Sequence, residues 1–239
     1  APGGTTINLL GTNVSGSEDN KVSIGIQAFS GGSITITGTG SYDVYTDYEG
    51  IATVYADSTA PESKSDIIIE SGTLDMHGAS ISTRYGGLTI TGSAKVTAGA
   101  ISTGGNPNPD NGGDEAQIAR DIVINGNAKV TAESISNLQT IKIGENAVVN
   151  VTHGSGIAIS GERGIEISGN ATVNATGYGS ALNSFNGSIS IGGTVTATNT
   201  KPIDPVRGGS AAVSTGQDVT STGSITVTGH LTVASTYAG

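Results

Sequence analysis

Residues 121–151 read DIVINGNAKVTAESISNLQTIKIGENAVVNV, and one short phrase occurs in them twice. Ile122-Val123-Ile124 is followed by a turn and then by Ala128-Lys129-Val130-Thr131-Ala132. Nineteen residues on, Ile141-Lys142-Ile143 is followed by a turn and the alternating run from Ala147 to Val151. A third alternating piece, Ser134-Ile135-Ser136, lies between the two copies. Apolar residues at every second position, β-branched in the main and punctuated by Gly and Asn, predict short strands rather than helix.

Working outward, the opening triplet recurs as Ile34-Thr35-Ile36, Ile67-Ile68-Ile69, Leu88-Thr89-Ile90, Ile165-Glu166-Ile167, Ile189-Ser190-Ile191 and Ile225-Thr226-Val227, eight copies in all. The base period is 19–24 residues, and three intervals are lengthened by insertions at 56–66, 104–119 and 199–210. Three short strands per period of about 20 residues predict one coil of a parallel β-solenoid. Coils then stack about 4.8 Å apart, with each backbone N–H and C=O paired to the next coil. This stacking places Val96, Val130, Val149, Val173, Val195 and Leu231 in one inward column. Thr97, Thr131, Asn150, Asn174, Thr196 and Thr232 form the outward column beside it. An irregular first coil over about 5–31 brings the total to about nine rungs, roughly 40 Å of stack. The expected fold is all-β: a single-domain right-handed parallel β-helix spanning 1–239, with three strands per rung, its hand following the crossover preference.

Composition agrees. The 239 residues include 38 Gly and 59 Ser plus Thr, with aromatics at only 4% and no Cys or Trp. A narrow core of Ile, Val and Ala has no room for large rings. The absence of Cys excludes a disulfide scaffold and a thiol nucleophile. A net charge of −10 with only ten Lys and Arg leaves no counter-charge for nucleic acid. No apolar run approaches the ~18 residues of a membrane span, so no membrane insertion is expected, and the chain is read as a monomer.

The runs GSITITG (32–38), GLTITGSAKVTAG (87–99), DIVINGNAKVTA (121–132) and GIEISGNATVNATG (164–177) resemble the secreted right-handed parallel β-helix proteins of bacteria, with pectate-lyase-like architecture. More narrowly, they resemble carbohydrate-binding β-helix domains of Gram-positive cell surfaces. The resemblance implies an extracellular or cell-surface location and binding of polysaccharide and calcium without cleavage. The sequence departs from that family at HGSGIAI (153–159) and YGSALN (178–183), where Ser stands in place of the family's Asp-rich turns.

On a repeat scaffold, chemistry belongs to the insertions and the corners they leave. The first two insertions follow the third strands of rungs two apart, so their bases are expected about 10 Å from each other. Asp57, Glu62, Arg84, Tyr85, Asp110, Asp114 and Glu115 are expected at this corner, with Tyr45, Tyr48 and Tyr55 nearby. Outward tyrosine rings can stack on pyranose faces, which makes Tyr45, Tyr48, Tyr55, Arg84 and Tyr85 the candidate ligand-binding set. Asp110, Asp114 and Glu115 offer hard oxygen ligands for calcium in a Gly-containing loop, outside any EF-hand spacing. A lyase would use Arg84 as base with calcium on the uronate. A hydrolase would need two carboxylates about 5–9.5 Å apart. The residues favour a non-catalytic, calcium-assisted carbohydrate-binding or adhesion module of a bacterial surface protein. A structural spacer or stalk is the alternative, and a calcium-dependent polysaccharide lyase comes third. No catalytic residue is assigned.

Overall fold

The computed structural model describes residues 4–29, 32–54, 65–84, 86–104, 120–201, 211–216 and 223–235. These form twenty-four strands, and no helix occurs among the described residues. Nine strands stack in parallel as the first face: Thr5–Leu9, Ile34–Gly38, Ile67–Ile69, Leu88–Ile90, Ile122–Ile124, Thr140–Ile143, Gly164–Ile167, Ser188–Ile191 and Ile225–Val227. Each opens one rung, so the stack is a parallel β-solenoid of nine rungs. The second face runs in the same order from Thr12–Ser15 to His230–Ser235.

The third face departs from three separate strands per rung. In rungs 4 and 5 the second and third strands are continuous, as Lys95–Thr103 and Lys129–Asn137. These rungs change direction at Gly99 and Glu133 without a loop, which joins the second and third faces into one fifteen-stranded sheet. Rungs 6–8 have the looped form, closing with Ile159–Gly161, Leu182–Ser184 and Val213–Thr215. The first coil is irregular, as its sequence implies, with a register shift between Val22 and Ile24 against rung 2.

Register confirms both columns read from the repeat. Val96 pairs with Val130, Val130 with Val149, Val149 with Val173, Val173 with Val195 and Val195 with Leu231; the flanking Thr and Asn residues pair likewise. From rung 2 to rung 8 the first-strand columns Ile34 to Ile189 and Ile36 to Ile191 are buried throughout. Each such side chain contributes about 1.5–3 kcal/mol by leaving water. A one-residue slip would turn every one of them to solvent, which is why the register holds across nine rungs.

The first corner shows how the backbone turns between faces. Gly92, Gly126 and Gly169 occupy it with φ of 60°, 66° and 63°, and in rung 6 the same position is held by Glu145 at φ 55°. Only glycine enters this region without a steric cost of about 1–2 kcal/mol. A β-carbon at Gly92 would lie 2.2 Å from the carbonyl oxygen of Glu70 in the rung below. Beside this corner, Asn170 donates to Asn146 and Asn146 to Asn127, each at 3.2 Å, forming an amide ladder along the stack.

The third corner carries a second column that the repeat does not advertise. Thr53, Thr83, Thr103 and Asn137 are in register and buried. Thr53, Thr83 and Asn137 close the turn into the next rung. Thr83 Oγ1 donates to the Gly86 carbonyl at 2.7 Å, and Asn137 Nδ2 to the Thr140 carbonyl at 2.8 Å, both three residues ahead. Thr53 makes the same bond to Ser65 at 2.8 Å, spanning 12 residues, whereas Thr103 Oγ1 lies 3.2 Å from the Arg120 carbonyl, 17 residues on, and gives its proton to Asn137 Oδ1. The insertions are therefore narrower than the sequence boundaries: Ser65 and Asp66, Gly104, and Asn199 to Lys201 all belong to the described stack.

Candidate functional site

The corner expected to carry function exists as expected in one respect. Thr53, Thr83 and Thr103 are consecutive partners, so the two insertions leave the stack two rungs, or about 10 Å, apart. Tyr55, Tyr85, Asp110, Asp114 and Glu115 lie outside the described residues, as do Asp57 and Glu62. Among the described residues no group of three or more His, Asp or Glu is placed to hold a metal ion.

The three described candidates are not brought together. Tyr45 sits at the corner between the second and third strands of rung 2, half-buried, its ring stacked on His77 of rung 3 at 3.9 Å between centroids and 16° between planes. Tyr48, three residues on, is 72% exposed. Arg84 is at the other end of the third strand, where its main-chain N–H donates to Thr53. Its Cα lies four residues beyond Ser80, the partner of Glu49, which places it about 13 Å from the Tyr48 corner. The ring predicted to face outward at Tyr45 is thus engaged with an imidazole, whereas Tyr48 presents a free face.

Concavities on two faces of the stack are lined by described residues. One is a shallow groove of about 410 Å³ on the first face, where the chain re-enters at Asp66 and Arg120. Its floor is the outward side of Ile68, Thr89 and Val123, all half-buried. Its charges are matched: Arg120 lies 4.0 Å from Asp66, and Lys142 Nζ lies 2.6 Å from Asp121. The hydrogen bond from Lys142 to Asp121, reinforced by the carboxylate's charge, raises the lysine above its ordinary pKa.

The other is a trough of about 430 Å³ on the third face. Its floor is Ser102, Ser136 and Ser160, consecutive partners in register and therefore one hydroxyl per rung. Its rim is the residue that follows the buried corner column: Leu138, Glu162 and Phe185. Leu138 and Phe185 are half-buried, and the Glu162 carboxylate accepts a hydrogen bond from Asn186 Nδ2. Alternation places the serines outward, because Ile101, Ile135 and Ile159 between them are fully buried. Sequence reasoning missed this site. The serines are visible in the repeat, but the rim residues share a position and not a residue type.

No protein-family model, no curated protein and no solved structure matches the chain. No helix among the described residues is long and apolar enough to cross a membrane.

Proposed function

We propose that this β-solenoid is a non-catalytic glycan-binding module, of the kind carried on a bacterial cell surface, and that the third-face trough is its binding site. The observation that carries this reading is the combination of a hydroxyl column with an apolar rim. Ser102, Ser136 and Ser160 present donors and acceptors at one-rung intervals, and Phe185 and Leu138 flank them. A pyranose has the same two characters, with hydroxyls around its edge and an apolar C–H face, and its length in an extended chain is close to one rung spacing. Glu162 adds an acceptor for a sugar hydroxyl. Such an open site suits a length of polymer rather than an enclosed small molecule.

The test is retention on a panel of soluble and insoluble polysaccharides, with calcium and with chelator, comparing wild type with Phe185→Ala and Ser136→Arg. Retention on at least one polymer, weakened about tenfold or more by either substitution with the fold intact by circular dichroism, is the expected result. Retention unaffected by both substitutions would remove the trough as the site. Dependence on calcium would move binding to the 104–119 insertion and to Asp110, Asp114 and Glu115. Loss of binding in Tyr48→Ala alone would move it to the second corner. No retention on any polymer favours the spacer reading, for which the continuous nine-rung stack is the supporting observation.

A further inference from the structure

The column that floors the trough is longer than the trough itself. Ser82, Ser102, Ser136, Ser160, Asn183 and Ser214 hold one register position in six successive rungs. Both ends of this column are spent inside the protein. Ser82 Oγ donates to Glu49 Oε1 at 2.7 Å. At the other end Asn183 is buried, and its Oδ1 accepts from Ser214 Oγ at 2.9 Å. The three hydroxyls between them, on Ser102, Ser136 and Ser160, bond to no other described residue and line the trough.

The rim keeps pace with them. Leu138, Glu162 and Phe185 follow Asn137, Gly161 and Ser184, which are consecutive partners, so the three stand in successive rungs. One rung earlier the position is Gly104, at φ 106°. A β-carbon there would lie 2.6 Å from Leu138 Cδ1, so the leucine covers the bare backbone of rung 4, the rung of Ser102. Among the described lining residues the one charged group is the Glu162 carboxylate. A second carboxylate, Glu49, stands at the Ser82 end. Arg84 is on the same rim but two rungs before Leu138, outside the lining.

We infer, resting on the glycan-binding reading above, that the trough holds three consecutive sugar units of an uncharged polysaccharide laid parallel to the stack axis. Direction follows from the column. The free hydroxyls recur along the stack at about 4.8 Å, and a chain laid across the rungs would meet one of the three. Length follows from the ends. The next polar side chain on either side is already bonded within the protein, so a fourth unit gains no new partner there. Charge follows from Glu162 and Glu49. A uronate, sulfate or phosphate group would meet like charge in the trough of a chain whose net charge is −10, with no lining cation to offset it.

Titration calorimetry of the whole chain tests each part, using β-1,4-linked gluco-, xylo- and manno-oligosaccharides of two to six units beside oligogalacturonides of the same lengths. For at least one neutral series, affinity is expected to rise at least fivefold from two units to three and less than twofold from three to six. Oligogalacturonides are expected to bind at least tenfold more weakly than the neutral trimer. Glu162→Gln keeps an acceptor and removes the charge, and is expected to narrow that gap at least threefold. Glu49→Ala releases the Ser82 hydroxyl and is expected to move the plateau from three units to four, and adding Ser82→Ala should return it to three. Circular dichroism checks the fold of each variant. Affinity that keeps rising to six units, or an oligogalacturonide bound as tightly as the neutral trimer, would overturn the inference and leave the trough as a glycan site. Retention on polymers without binding of any of these oligosaccharides would do the same. No retention on any polymer would remove the glycan-binding reading itself, and this inference with it.

Discussion

Gly92, Gly126 and Gly169 perform one task at three successive depths of contact, which makes the first corner a graded test of backbone strain. The β-carbon that alanine adds would meet backbone atoms at 2.2, 2.6 and 3.0 Å, and all three positions already have positive φ. Each Gly→Ala change is expected to cost at least about 1–2 kcal/mol. Chemical denaturation should rank Gly92→Ala as the most damaging and Gly169→Ala as the least. Glu145 bears the conformational cost natively, and its carboxylate recovers part of it by accepting the Gly126 N–H at 2.9 Å. Lys142 allows a separate check by pH. Its folded pKa is raised by Asp121, so its contribution to stability is present at neutral pH and is lost as pH rises above the ordinary lysine range. In Asp121→Asn this alkaline loss is expected to shrink, which a series of thermal melts between neutral and strongly alkaline pH will show.

The buried third-corner column governs how strands connect. Thr83→Val keeps the side chain's shape but leaves the Gly86 carbonyl without its donor, and is expected to cost about 1–3 kcal/mol in denaturant titration. Replacing 104–119 by a two-residue turn like the one between Thr83 and Gly86 should leave the far-ultraviolet spectrum and melting cooperativity unchanged, because Thr53 and Thr83 close the same corner over a long and a short connection. Much of this level was legible in the sequence. Strict alternation around Val130 and Val149 specified strands, parallel stacking and register together, since a slipped register exposes the whole core. The column of Thr53, Thr83, Thr103 and Asn137 was not legible, because polar residues at strand ends ordinarily face water. Nor was the trough. Leu138, Glu162 and Phe185 occupy one structural position with three unrelated side chains, so no repeated letter marks it. The separation of Tyr45 and Tyr48 from Arg84 depends on which corner each residue occupies, and composition does not encode that.

At the scale of the molecule, each rung contacts only its neighbours, so stability is a sum along one dimension and fails first at the ends. Amide hydrogen exchange is expected to be slowest in rungs 4–7, where every strand has a partner on both sides. Ile141→Ala, in the middle, is expected to cost about 2–5 kcal/mol, whereas Ile225→Ala, already 44% exposed, should cost far less. The hydroxyl clasp at the third corner has a geometric corollary. Because the bond from Thr53 or Thr83 is made to the same place whether eleven or two residues intervene, the stack works as a ruler graduated in single rungs. A peptide spliced in at any of these graduations would stand at a known multiple of about 4.8 Å from its neighbours, and two such peptides could be moved together or apart without altering the scaffold that holds them.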